Sequence, residues 1–462
     1  MFGWFAPKCP LELSQKVWTE YRMRWLADRL GIDRLLKATV VTPTAEFFPG
    51  PYEGNDADAA LIYAQMARFM GVTSPPAMQV AAEADMPGAL GLYIHGPPPT
   101  ILLNETALGD RHQVAATFAH ELAHEILLGG GLIETTAHDH ELVTDLLLVY
   151  LGVGITSVNT TIKDRAWREG NLEYFQISRS GYLTAMDFGY ALALFAYVRG
   201  EDEPAWAAHL RPDAAEVMRK GLRYLNKTGD TVFHPTWLRE KLRPPTAAEA
   251  HNSLTSGTPT EQIFVLWQLG DFPVRDATLV ELVTAKLTHR EAGVAAAAAD
   301  ALAALKAFAA SAAPHLLAAL SSRHSLVRAA AAGALGVVPA PGELVVPALT
   351  ALLSETKSSV IAAAAYSLAN LGAAALPSIT AVLVALDAAL HRNPHEGSIP
   401  RLVHALLEIE DEPIARVHSF YEDGNDEHRD HVVELLQAMR GEDQADAAEV
   451  DGEVENGQTD ET

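Results

Sequence analysis

Apolar residues recur at helical spacing near the start of the chain. Trp18, Tyr21 and Trp25 share one stripe of residues 14–30, Ser14 has the chemistry of an N-cap, and Gly31 stops the run. A loop-rich passage from Thr42 leads to a second helical pattern over residues 57–70, closed by Gly71. Two short apolar runs, 91–94 and 101–104, then flank Pro97, Pro98 and Pro99, which predicts strand pieces whose edge is blunted by the prolines, with the 101–104 strand expected to offer its edge to an extended peptide. A helix is expected over residues 110–128. Val114, Phe118, Leu122 and Ile126 lie four apart, and Ala115, Ala119, Ala123 and Leu127 widen that face, leaving His120 and His124 on a neighbouring one. Gly129, Gly130 and Gly131 end it, and another helix is expected over 139–151, closed by Gly152. Thr184 and Asp187 have capping-box spacing before a helix apolar on all sides, hence buried scaffold.

From about residue 254 the pattern becomes repetitive. Val294, Val327 and Val360 open alanine-rich segments 33 residues apart, Pro314 and Pro347 hold the same register, and Leu302, Leu335 and Leu368 share one position of the unit. Two short helices joined by a turn cannot bury their own apolar face and must stack on their neighbours. These segments resemble HEAT repeats. Residues 254–270 read as a degenerate first unit and 398–440 as a less regular cap. The tail from 441 to 462 is acidic, without basic residues and almost without apolar bulk, so it is expected to be disordered.

At 462 residues the chain exceeds one core and predicts two or three domains. A formal charge of -25, with no Lys/Arg cluster able to track a phosphate backbone, argues against nucleic acid and anionic membranes as partners. No uninterrupted apolar run has the length of a membrane span, and MFGWFAPKCP lacks the basic start of a secretory signal. The single cysteine, Cys9, excludes an intrachain disulfide and fits a reducing, cytoplasmic setting; an inert terminal thiol is its expected role, ahead of a thiolate reaching a metal.

Residues 118–130 read FAHELAHEILLGG, in which His120, Glu121 and His124 form H-E-x-x-H. Four-residue spacing sets both imidazoles one turn apart on a helix, able to reach one cation, with Glu121 beside them. Glu141 and Asp145 follow, four apart on one helical face. Together, H-E-x-x-H and then E-x-x-x-D resemble the gluzincin group of zincin metallopeptidases, over about residues 90–152. That resemblance implies one Zn2+ held by His120, His124 and Glu141, Glu121 as the base that takes a proton from water, and Asp145 as acceptor for a ligand imidazole N–H. The interval from His124 to Glu141 is short for the group, and His138 and His140 stand as competing third ligands. The metzincin pattern fails, because Leu127 and Gly130 stand where its glycine and third histidine belong. Tyr182, Tyr190 and His234 are candidate oxyanion donors, each more expected as core or loop.

The expected architecture is an α+β zincin-like domain, predominantly helical with a small sheet, followed by an all-α HEAT-like solenoid. Residues 1–89 would pack on the zincin-like domain of 90–250, with the solenoid over 254–440 and the tail over 441–462. The corresponding function is a cytoplasmic zinc metallopeptidase acting on a protein or peptide substrate, whose repeats recruit a protein partner. The alternative is a non-enzymatic repeat scaffold with a zinc-stabilised, inactive zincin-like domain. A helical pair of histidines is often only structural, but burying three carboxylates together without a cation is costly.

Overall fold

The computed structural model describes the chain except residues 1–6, 87–88, 135–138, 161, 170–171, 180–182, 235–242, 244, 272–275, 394–395, 422–425 and 456–462, with backbone alone for 162–169, 172–179, 271 and 441–455. Two compact units result, Met1–Leu242 and Arg243–Thr462. The expected boundary near 250 thus moves upstream, because the helix Ala247–Ser256 packs with the helices that follow it.

In the first unit the helices are α1 (Leu13–Leu30), α2 (Ile32–Leu36), α3 (Asp56–Met70), α4 (Arg111–His124), α5 (His140–Tyr150), α6 (Gly154–Thr160), α7 (Ala185–Arg199) and α8 (Pro212–Thr228). Helix α1 begins one residue before Ser14, with Glu12 at the N-cap and no side-chain cap, so Ser14 lies inside the helix. Asp110 caps α4 by accepting from the backbone N–H groups of His112 and Gln113, and Thr184 and Asp187 form the capping box of α7. Val114, Phe118 and Leu122 of α4 are fully buried beside Leu26, Met66 and Leu146, so residues 1–89 share one core with the helices that follow.

Strands β1 (Ala77–Ala81), β2 (Gly91–Ile94) and β3 (Thr100–Asn104) form a sheet in the order β1-β3-β2, parallel between β1 and β3 and antiparallel between β3 and β2. The run at 101–104 is therefore the central strand and has no free edge, contrary to the sequence expectation. The free edge near α4 belongs to β2. A second pair, β4 (Ile162–Glu169) and β5 (Leu172–Arg179), forms an antiparallel hairpin.

The second unit is a helical repeat stack. Its helices are α9 (Ala247–Ser256), α10 (Pro259–Asp271), α11 (Ala277–Lys286), α12 (Ala292–Leu305), α13 (Ala313–Ala319), α14 (Ser325–Leu335), α15 (Gly342–Leu352), α16 (Ser358–Leu371), α17 (Ile379–Arg392), α18 (Ile399–Ile409), α19 (Pro413–Phe420) and α20 (Asp426–Glu455). Helices α10, α12, α14, α16 and α18 pack successively on one another. Alanine allows that approach, while Leu269, Leu302, Leu335 and Leu368, at the repeat period, are buried between layers. Two stretches, Ala292–Ala319 and Ser358–Arg392, are apolar and long enough by composition to cross a membrane. Each is broken by a 3-10 turn, at Lys306–Ala312 and Gly372–Ser378, and about half of each is buried inside the unit. Backbone helix continues from Gly441 to Glu455, where disorder is expected from charge; Ala445, Ala447 and Ala448 supply helix propensity there.

Candidate metal centre

Helix α4 turns its apolar face to the core and His120 and His124 toward α5, which carries Glu141 in its first turn and Asp145 one turn later. His120 Nε2 lies 3.3 Å and His124 Nε2 3.4 Å from the same oxygen, Glu141 Oε2. The two rings stand edge to face, 4.8 Å between centroids. One ligand atom from each of the three residues falls within 4.8 Å of the others. Glu141 Oε2 is buried with no hydrogen-bond partner, since neither imidazole approach has hydrogen-bond geometry. Two imidazole nitrogens and an orphaned carboxylate oxygen are a donor set that fits a zinc-class cation.

Asp145 is held at both oxygens. Oδ1 lies 3.0 Å from His120 Nδ1, and Oδ2 accepts the Leu183 backbone N–H at 2.9 Å. A proton on Nδ1 shared with Asp145 is the arrangement that would free the Nε2 of His120 to ligate a metal. His124 turns Nδ1 toward Thr144 Oγ1 at 3.5 Å, and that hydroxyl donates to the His140 carbonyl at 2.9 Å. For His120, burial opposes the charged form, but the adjacent Asp145 and Glu141 carboxylates outweigh it and raise its pKa well above the ordinary value. Burial likewise works against charge on Glu141, and there the His120 and His124 imidazoles win, holding the carboxyl far below its usual range.

Glu121 points elsewhere. It is buried and sits against β2, where the Tyr93 backbone N–H donates to it; burial raises its pKa and Glu141 adds to the rise, while His120, His124 and that N–H act in the opposite direction. Gly91 makes room for it, because a Cβ there would stand 2.6 Å from Glu121 Oε1 and 2.5 Å from Thr117 Cγ2. In β2 the Leu90 carbonyl accepts from Asn104 N–H, so the alternation of an antiparallel pair turns the backbone polar groups of Gly91 and Tyr93 to the free edge. Leu92 and Ile94 on that strand are exposed.

Three features lay outside the sequence expectation. Asp139, directly before α5, is buried and receives Arg22 through two nitrogens at 2.7 and 2.9 Å and the Trp18 indole N–H at 2.9 Å, which anchors the helix carrying Glu141. The helix expected to 128 ends as α-helix at His124 and continues as one π-helical turn, Glu125–Gly129. That turn presents Glu125 to the Tyr93 hydroxyl, which donates to it at 2.8 Å, while the Tyr93 ring lies nearly parallel to His124 at 6.3 Å.

Among the alternative ligands, His138 and the oxyanion candidate Tyr182 lie outside the described residues. His140 Nε2 approaches Glu141 Oε1 at 3.3 Å but does not join the three-residue ligand group. Tyr190 is core, its hydroxyl donating to the buried Glu20 at 2.6 Å. His234 is half-buried and is not part of the ligand group. Cys9 packs against the core, and burial pushes its thiol up to about 11, opposite to a metal thiolate.

No family profile and no curated protein matches the chain. Among solved structures, the crystal structure of a Kap121p mutant is 13% identical with a TM-score of 0.31, over 71% of this chain and 36% of that one. An engineered protein is 15% identical with a TM-score of 0.31, over 93% of this chain and 98% of that one. The chain thus spans about a third of the length of the Kap121p mutant. Likenesses of this size carry no argument, and the helical repeat architecture rests on the stacked helices themselves.

Proposed function

We propose that the first unit is a zinc-dependent metallopeptidase in which His120, His124 and Glu141 hold the metal and Glu121 is the general base. The observation that carries this is the division of the carboxylates: buried Glu141 Oε2 faces both the His120 and His124 Nε2 atoms without a hydrogen bond, while Glu121 of α4 turns to the Tyr93 backbone N–H of β2. Zinc, when bound, supplies a Lewis acid that polarises a carbonyl and acidifies water. Glu121 takes the proton of the attacking water and returns it to the departing amine. Its raised pKa brings it closer to the working pH of such a shuttle. Asp145 fixes the His120 tautomer, and the Asp139 anchor holds the start of α5 in place. An extended peptide can add to the free edge of β2, with Leu92 and Ile94 offering apolar contact.

The test is Glu121→Gln, which keeps the shape and the acceptor for Tyr93. Zinc content and partner binding should match wild type while peptide cleavage falls by ~100-fold to ~10,000-fold.

A second reading, a repeat scaffold without turnover, is favoured by a cavity of about 360 Å3 in the second unit. Its lining includes His289, Arg290, His315, Arg323 and His324 among apolar and hydroxyl side chains, and the two arginines in a strongly acidic chain suit an acidic segment of a protein partner. If partners trapped on Glu121→Gln are never cleaved by the zinc-loaded wild type, and reversing Arg290 and Arg323 abolishes their binding, the scaffold reading replaces the peptidase.

A further inference from the structure

A second cluster of metal-type ligands lies in the repeat unit, where the sequence expectation of one metal per chain leaves no place for it. Asp387 and His391 stand one turn apart on α17, and His428 comes from the first turn of α20. His428 Nδ1 is 2.8 Å from Asp387 Oδ1, and His391 Nε2 is 3.6 Å from Asp387 Oδ2. The two imidazole rings are 4.3 Å apart between centroids. One ligand atom from each residue lies within 4.8 Å of the others. The Tyr421 hydroxyl donates to Asp387 Oδ1 at 3.1 Å and so orients the carboxylate.

We propose that Asp387, His391 and His428 form a second binding site for a divalent transition-metal ion of the zinc class, which fastens α20 to α17. A tetrahedral zinc with bonds of about 2.0–2.1 Å separates its ligand atoms by about 3.4 Å; His428 approaches one oxygen of Asp387 at 2.8 Å and His391 the other at 3.6 Å, so small side-chain rotations reach that spacing. Two imidazoles with one carboxylate select zinc, cobalt, nickel or copper over magnesium or calcium, which want oxygen donors. The His391 side chain is 61% exposed, whereas those of Asp387 and His428 are 27% and 16% exposed. An ion therefore enters from solvent on the His391 side, where water completes its coordination. The formal charge of -25 favours a cation over any anionic occupant. Tyr421 has the place of an outer partner that fixes a ligand carboxylate.

The experiment is a titration of Zn2+ into the chelator-treated full chain by calorimetry, with elemental analysis of the product. Wild type should take up one equivalent more than Asp387→Asn and one more than His428→Ala. Tyr421→Phe should keep that equivalent, with affinity reduced by ~10-fold to ~100-fold. Crystals of the zinc-loaded chain should show an anomalous peak between the three side chains. Asp387→Asn keeps an acceptor for Tyr421 and is nearly isosteric, so it decides the matter if His428→Ala fails to fold. Each comparison is a difference between chains that share His120, His124 and Glu141, so it holds whether or not those residues bind zinc. Equal stoichiometry and equal affinity in wild type and Asp387→Asn would overturn the proposal and leave a hydrogen-bonded cluster alone.

Discussion

Replacing Gly91 by alanine probes how closely β2 and Glu121 fit. The added Cβ would stand 2.5 Å from Thr117 Cγ2, 2.6 Å from Glu121 Oε1 and 2.9 Å from Glu121 Cγ. Carbon atoms in contact normally sit about 3.5–4.0 Å apart, so relief requires a displacement of about 1 Å. Thr117 and Glu121 are both buried on α4, which leaves little freedom for either side chain. Overpacking of this kind costs about 1–3 kcal/mol. In a unit of Met1–Leu242, a cost near the middle of that range lowers Tm by about 4–8 °C. A shift of about 1 Å in a catalytic group costs ~100-fold in turnover, so the proposed peptidase should lose activity well beyond its loss of stability. Differential scanning calorimetry and a peptide-cleavage assay measure the two effects. Adding Thr117→Ser, which removes the closest methyl, should recover part of the Tm but not the turnover, because the clash with Glu121 remains. A Gly91→Ala variant with wild-type Tm and wild-type cleavage would refute this account of how β2 and Glu121 fit.

Glu20→Leu should destabilise the first unit by about 3–5 kcal/mol in urea unfolding, since Glu20 pairs with the fully buried Lys16 at 3.1 Å and accepts from Tyr190 and the Val232 backbone N–H. Asn104→Ala should cost about 2–4 kcal/mol, because its buried amide donates to Glu83, Met86 and Ala89 and its carbonyl accepts from Thr106. Arg22→Met should lower zinc affinity by ~10-fold to ~100-fold without removing a ligand, as it releases Asp139 at the start of α5. Cys9, with its thiol pushed up to about 11, should alkylate slowly at pH 7 and gain about tenfold in rate per pH unit toward that value; rapid iodoacetamide labelling at pH 7 would contradict its burial.

The candidate site was legible where its chemistry is contiguous. His120 and His124 share a helical stripe, Glu141 and Asp145 share another, and α4 and α5 bring the two together. The repeat register was equally plain, because a 33-residue period in Val and Leu needs no tertiary information. What remained hidden depends on distant partners. Arg22 and Asp139 are 117 residues apart, and His391 and His428 sit on different helices with no spacing rule joining them. The order β1-β3-β2 depends on β1, whose AMQVA run carries a weak alternating pattern, and without it the wrong strand takes the edge. The π turn at Glu125–Gly129 accompanies the contact of Tyr93 with Glu125 and the close approach of Gly129 to both, which local periodicity does not encode.

Whether Glu121 is kept for chemistry or for the fold can be decided from stability alone. The fold holds Asp145 through Leu183 N–H and His120, and among the described residues it offers Glu121 the backbone N–H of Tyr93. Burial raises the Glu121 pKa, with Glu141 acting in the same direction against the two histidines. A carboxyl whose folded pKa lies above its unfolded value destabilises the fold once it ionises. The penalty is absent below the unfolded value, about 4.3, and grows as pH rises through the folded value. Glu121→Gln retains the acceptor for Tyr93 and removes that penalty. In chelator-treated protein its Tm should therefore exceed wild type at pH 7.5, and the difference should shrink toward zero near pH 4. A residue that weakens the fold it sits in is retained for something other than the fold. A Glu121→Gln chain that is less stable than wild type at pH 7.5 would make the carboxylate a structural partner and remove the main ground for assigning it the role of base.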